Sequence, residues 1–455
     1  MQLSRNRFLL ALATTAAVFG MNLVASAAKA PKKLLVVTVT KGFRHSSIPT
    51  AEKVLGEIAS KTGIFTVDYV RNDKDMAEKM TMDALSKLDG VIFANTTGDL
   101  PLPDKAGFLK WIESGKAYIG MHSASDTFRG HKPLDPYNVM LGGEFLTHGA
   151  QVTVECINQD PNHPACKHFG STFKVHDEIY LFNGFNRPTV HGLLTLDKHP
   201  NSGVPGDYPI AWSKQVGKGR VFYTSLGHRE DVWESDPYQQ HIIGGIKWAL
   251  GLAKGSAIPQ STTAKLSREE AKQGFKPLYN GNDLKGWKPR NTTTPLSWSS
   301  QNGMLVNAVG KEHGVDLVSE ETFYNFTIRY EYMIPKKANS GLYLRGRHEI
   351  QIFDDYDSKT PKDSGNGGLY SIKAGDSFAS RKTGEWQEVE ATIQGNRLTV
   401  MLNGVRIHDN VEAPRATGGE LDKNLTSPGP IMLQGDHGAV AFRNIRIKPL
   451  KASVK

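Results

Sequence analysis

The sequence predicts two domains of different class, a doubly wound α/β unit followed by an all-β sandwich. Three observations carry this. In the first half, short apolar runs alternate with stretches of helical spacing, the pattern of βαβ units. Beyond about residue 273 the helical period disappears, and alternating strands with turn signals take over. Between the two lies a polar, small-residue stretch with Gly255-Ser256, Pro259 and Ser261-Thr262-Thr263, which reads as a linker.

The elements follow in order. Leu34-Leu35-Val36-Val37-Thr38-Val39 is a continuous apolar strand, of the kind buried on both faces of a parallel sheet. Residues 48–59 place Val54, Leu55 and Ile58 at helical spacing. Strands are expected at 65–70, 88–94 and 117–120, with helices at 105–114 and 240–250. A short helix is expected after Ser267. In the second half 326–332, 398–402 and 442–447 alternate, and Asn403-Gly404 is the strongest hairpin signal in the chain. The domains are drawn at 31–252 and 274–450, with the linker at 253–273.

With 455 residues, 39% of them apolar, each half can bury its own core, and a disordered or collagen-like chain is excluded. The net charge of +9 is scattered, without the Lys/Arg cluster that tracks phosphates, which argues against a nucleic-acid partner. Residues 1–27 carry Arg5 and Arg7, an apolar stretch and Ala25-Ser26-Ala27, the three-part pattern of a cleaved export signal. A periplasmic or secreted location is therefore expected, with no stable membrane insertion after cleavage. The two cysteines, Cys156 and Cys166, form either a short-range disulfide or two free thiols. The oligomeric state is left open.

Eleven of the fifteen histidines fall between His45 and His241. His45 and His122 each stand just beyond an apolar strand, where open α/β sheets bind ligands. Glu144 and His148 have the spacing to share one side of a helical turn. Together with Asp126, Asp177, Glu178 and His228 they form the candidate cleft of the first domain. Imidazoles and carboxylates in one cleft suit proton transfer or a divalent metal ion, and no nucleotide cofactor is evident. His131, His163, His168 and His199, in polar loops, are read as structural.

These segments together resemble the trehalose-utilisation (ThuA-like) family over 33–251, whose flavodoxin-like fold is similar to class I glutamine amidotransferases. The resemblance implies a sugar-processing context. In the amidotransferases a nucleophilic Cys occupies the turn after a central strand. Met121-His122-Ser123 stands there in this chain, so amidotransfer is excluded. Gly-x-Ser-x-Gly is absent, which counts against Ser123 as a hydrolase nucleophile.

The second half opens with Phe275-Lys276-Pro277-Leu278-Tyr279-Asn280-Gly281 and continues to Gly286-Trp287. With Asn339-Ser340-Gly341, Glu349-Ile350-Gln351-Ile352-Phe353-Asp354, Gly368-Leu369-Tyr370 and Gln434-Gly435-Asp436-His437, it resembles the 3-keto-disaccharide hydrolase family over 274–449. That resemblance implies a concanavalin-like jelly roll acting on a 3-keto-glycoside. Strand alternation places Tyr343 with Arg345 and Glu349 with Gln351, while Ile350 and Ile352 face the core. The expected chemistry is removal of the C2 proton beside a C3 ketone, expulsion of the C1 substituent, and hydration, a net hydrolysis. Glu349 or His437 is the expected base, and Arg345 or a bound divalent cation the oxyanion stabiliser. Gln351, Asp354, Tyr370, Gln434 and Asp436 are the expected sugar contacts. The competing reading is a lectin-like protein that binds carbohydrate without chemistry. Trp287, Trp298 and Trp386 are expected in the core.

Overall fold

The structure, a computed structural model, describes residues 30–263, 266–309 and 314–451. The expected export signal at 1–27 lies outside them. Among the described residues no helix is long and apolar enough to cross a membrane.

The first domain is built on a nine-stranded sheet. Its parallel part runs in the order Phe65–Val70, Lys32–Val37, Gly90–Ala94, Ala117–Met121 and Gly219–Thr224. Period-two alternation divides its side chains between two layers. Leu34 and Val36 pack with Val54, Leu55 and Ile58 of the helix Ile48–Thr62 and with Ile242 and Ile246 of Asp236–Ala249. Leu35 and Val37 face the other layer, with Phe108, Trp111 and Ile112 of Lys105–Glu113. Four further strands, Pro205–Val216, His191–Lys198, Val152–Asn158 and Thr172–Asp177, extend the sheet antiparallel. Residues 144–148 are not a helical turn: Glu144–His148 is a strand paired with Tyr180–Asn183.

Cys156 and Cys166 are both free and buried. Burial pushes the Cys156 thiol up to about 12 and raises that of Cys166 as well, so neither offers a thiolate.

The connecting segment lies along the first domain, where Ser256 and Ile258 carbonyls accept bonds from Ser213 and His191. The helix Arg268–Gln273 follows, started by a capping box between Ser267 and Glu270. Glu270 then ion-pairs Arg329 and Arg446 of the second domain.

The second domain packs two antiparallel sheets around one apolar core. One contains eight strands, centred on Phe326–Met333 and Val440–Pro449. The other runs Trp287–Pro289, Leu317–Phe323, Gly429–Leu433, Asn339–Leu344 and His348–Phe353. Asn403-Gly404 closes a two-residue hairpin with Leu402 opposite Val405, both turn residues at positive φ. Trp287 and Trp298 are core residues. Trp386 is only partly buried: it packs on Met304, Val306 and Ala441, Arg443 stacks on its ring, and its Nε1 donates 2.7 Å to Asp197 of the first domain.

Candidate functional sites

The first site forms where the strands of the α/β sheet end. His45 lies in the loop after Lys32–Val37, and His122 in the sharp turn after Ala117–Met121, with φ +48°. Glu178 follows Thr172–Asp177, and His228 precedes the helix Glu230–Glu234. One ligand atom from each of these four residues lies within 4.8 Å of every other. His122 and His45 meet Nε2 to Nε2 at 3.2 Å, and Glu178 Oε2 is 3.7 Å from His122 Nε2 and 3.2 Å from His228 Nδ1.

The surroundings fix protonation. His122 Nδ1 lies 2.7 Å from the Ser225 carbonyl, a pure acceptor, so Nδ1 carries the hydrogen and Nε2 keeps its lone pair toward the cluster. Burial lowers His45 to about 4 and holds His122 well below the usual imidazole range. Hydrogen bonding to Glu178 raises His228 instead. Burial lifts Asp177 to about 6; its carboxylate accepts from the Gly227 and Glu178 amides at 2.7 and 2.9 Å and so braces both neighbouring ligands. This His/Glu cluster can hold a metal ion.

His148 stands at the mouth, 3.1 Å from Glu178 Oε1. Asp126 is at the rim, paired with Arg129 at 3.1 Å, and burial raises its carboxyl. Glu144 is not part of the cluster: it accepts from the Gly130 amide and the Asn183 side chain, holding loops together. Ser123 Oγ is 3.4 Å from His45 Nδ1. The sequence reading missed Tyr180, whose hydroxyl is 2.9 Å from His122 Nε2. His131, His163, His168 and His199 make loop contacts, with Asp99, Ala165, Pro237 and Asn201.

The second site lies on the outer face of the five-stranded sheet. Register sets Gly341 opposite Gln351 and Tyr343 opposite Glu349, and Gln434 donates its amide to the Gly341 carbonyl at 2.9 Å. Gly341 therefore leaves a hollow between two glutamines, and Glu349 fills it: a Cβ at Gly341 would come within 2.2 Å of Glu349 Oε1. The side-chain oxygens of Gln351, Gln434 and Asn339 are buried there without a hydrogen-bond partner. Glu349 is 2% exposed. Burial pushes its carboxyl up to about 8, Asp316 and Asp436 add to the rise, and hydrogen bonding from the Tyr343 phenol offsets part of it. The segment 413–428 covers this end of the face: Thr417 Oγ1 accepts from the Glu349 amide, and Leu421 packs with Tyr343, Val318 and Met432.

Two expectations need correction. Arg345 does not share the face of Tyr343. The strand ends at Leu344, and Arg345, at φ +57°, turns its buried guanidinium onto the carbonyls of Tyr324, Leu425 and Gly395. Asp354 lies beyond its strand and ties loops, accepting from the Lys337 amide and Thr383. Tyr370 meets Glu349 through its own backbone amide, 3.1 Å from the Glu349 carbonyl. Asp436 and His437 are paired with each other at the exposed end of the polar row. The sequence reading also missed Asp316, a buried carboxylate that accepts from Gly435 and ion-pairs Arg290 at 3.1 Å.

Residues 33–249 match the family model for trehalose utilisation (ThuA), and residues 274–448 match that of the 3-keto-alpha-glucoside-1,2-lyase-like domain. The chain is thus a ThuA-like α/β domain followed by an all-β 3-keto-disaccharide hydrolase-like sandwich. No curated protein matches it. Similar solved structures include a Parabacteroides distasonis protein described as a glycosyl hydrolase, at 21% identity and TM-score 0.35, covering 41% of this chain and 99% of that one. A Parabacteroides merdae protein described as ThuA-like shows 20% identity and TM-score 0.42, covering 50% of this chain and 95% of that one.

Proposed function

We propose that this is an exported enzyme of carbohydrate breakdown, whose second domain cleaves glycosides that carry a ketone at C3. The observation that supports this reading is Glu349: a buried carboxyl ionising at about 8, set over the Gly341 hollow beside unpartnered amide oxygens. An ordinary glycoside has no acidic proton at C2. A C3 ketone makes that proton removable, and a carboxylate whose basicity burial has raised suits its removal. The match to the 3-keto-alpha-glucoside-1,2-lyase-like family points the same way.

The C2–H bond breaks with its proton passing to Glu349, and the electron pair forms the enolate. The enolate then collapses to a C1–C2 double bond as the C1–O bond breaks. The departing oxygen takes up a proton, for which His437, half-exposed beside Asp436, is the available imidazole. Water added across the enone completes a net hydrolysis. Gln351 and Gln434 offer their free oxygens to sugar hydroxyls.

The test is turnover of a 3-keto-disaccharide against the unmodified disaccharide, with the released sugar analysed after reaction in deuterated water. Cleavage of the keto form with deuterium at C2 is expected. Equal cleavage of both sugars would instead indicate a paired-carboxylate glycosidase. Binding without turnover would leave a carbohydrate-binding protein.

A further inference from the structure

We infer that His45, His122, Glu178 and His228 form a binding site for one first-row transition-metal dication, open on one side to an oxygen ligand. This goes beyond the keto-sugar reading of the second domain and does not depend on it.

Four features converge. The four ligand atoms lie within 4.8 Å of one another, a span that a single ion can bridge. The Ser225 carbonyl fixes the His122 tautomer and aims its Nε2 lone pair at the other ligands, as outer partners of metal-bound histidines do. Asp177 anchors the Gly227 amide and the Glu178 amide, so the two later ligands are held by one carboxylate. Finally, two imidazole nitrogens stand 3.2 Å apart in a buried site, His45 being 5% exposed and His122 0%. An ion between them would accept both lone pairs.

Three nitrogens and one carboxylate oxygen select the ion. Calcium and magnesium prefer all-oxygen sites, whereas zinc, copper, iron and nickel take imidazole readily. The single carboxylate leaves one net positive charge on a bound dication, suited to polarising a ligand oxygen. The site is not closed: the His228 and His148 side chains are 21% and 42% exposed, and Phe43 overhangs the entrance at 67%. Structural zinc sites are closed, while an open position is the mark of a working one. The Tyr180 hydroxyl, at present on His122 Nε2, becomes free to bond a metal-held water or sugar hydroxyl.

The experiment uses full-length protein stripped with a chelator and titrated with Co²⁺ alone, read by its visible ligand-field bands and by metal content after gel filtration. One equivalent is expected to bind, to be displaced by Zn²⁺, and to survive a large excess of Ca²⁺. Glu178→Gln and the partly exposed His228→Gln should each weaken binding by more than about tenfold, the loss common even for an outer partner of a ligand. His131→Gln, remote and exposed, should leave it unchanged. Binding well below one equivalent, displacement by Ca²⁺, or equal binding in the folded His228→Gln and Glu178→Gln variants overturns the assignment. No sugar enters the measurement, so its failure is separate from failure of the keto-glycoside reading.

Discussion

Replacing Glu349 by Gln tests the proposed base and has a calculable second effect. Its carboxyl ionises at about 8 in the fold against 4.5 for an ordinary glutamate. Below pH 4.5 the folded and unfolded chains both hold the proton. Between 4.5 and 8 only the folded chain does, so each pH unit lowers wild-type stability by about 1.4 kcal/mol. Above 8 both are ionised and the full loss, on the order of 5 kcal/mol, remains. Glutamine mimics the protonated side chain and escapes this loss. The variant should therefore gain stability relative to wild type as pH rises, by on the order of 10 °C in Tm between pH 5 and 9. Its turnover of a 3-keto-disaccharide should fall by about 10² to 10⁴. In the wild type kcat/KM should climb about tenfold per pH unit below 8, where the ionised base is the minor form, and level off above about pH 9. Thermal melts and initial rates across pH 5–9 measure both effects. Parallel melting curves for the two proteins, or a rate that is flat from pH 6 to 9, would refute the account of Glu349 as a buried proton carrier.

Three further outcomes are expected. Gly341→Ala places a methyl group 2.2 Å from the Glu349 carboxylate in backbone of ordinary φ; circular dichroism should stay native while kcat falls at least about tenfold. Tyr343→Phe removes the hydrogen bond that restrains the rise in Glu349, so the acidic limb of kcat/KM should move to higher pH. Arg345→Met strips three backbone carbonyls of a buried donor; urea unfolding should show a loss of about 1 to 3 kcal/mol, with kcat of the remaining folded enzyme unchanged. A drop in kcat at unchanged stability would return Arg345 to the active site.

What the sequence made legible was local. Phe65–Val70 is the strand its apolar run predicts, the Ser267 cap starts its helix, and Asn403-Gly404 turns its hairpin. Each is specified by neighbours within a few residues. The antiparallel extension was not legible, because Thr172–Asp177 and Val152–Asn158 are only partly buried and carry mixed side chains. Glu144–His148 fits helical spacing as well as a strand, and only its pairing with Tyr180–Asn183 decides. Alternation grouped Glu349 with Gln351 correctly, but it cannot show where a strand stops, and Arg345 lies one residue past that point. Asp316 comes near Glu349 through the pairing of Leu317 with Leu433 and Leu342 with Leu433, and Tyr180 meets His122 across two sheets. No signal within a single stretch of chain reports such meetings.

The left-handed backbone at His122 sets stability against site chemistry. A branched or bulky side chain at φ +48° typically costs about 1 to 3 kcal/mol, which glycine there would largely recover. Random drift under selection for folding alone would therefore erode the histidine toward glycine or asparagine. Directed evolution for thermal tolerance should find this position early, yielding sturdier proteins that lack the central imidazole of the cluster. Consensus-style stabilisation of this domain thus has one position to leave untouched, and stability screens alone would not flag it.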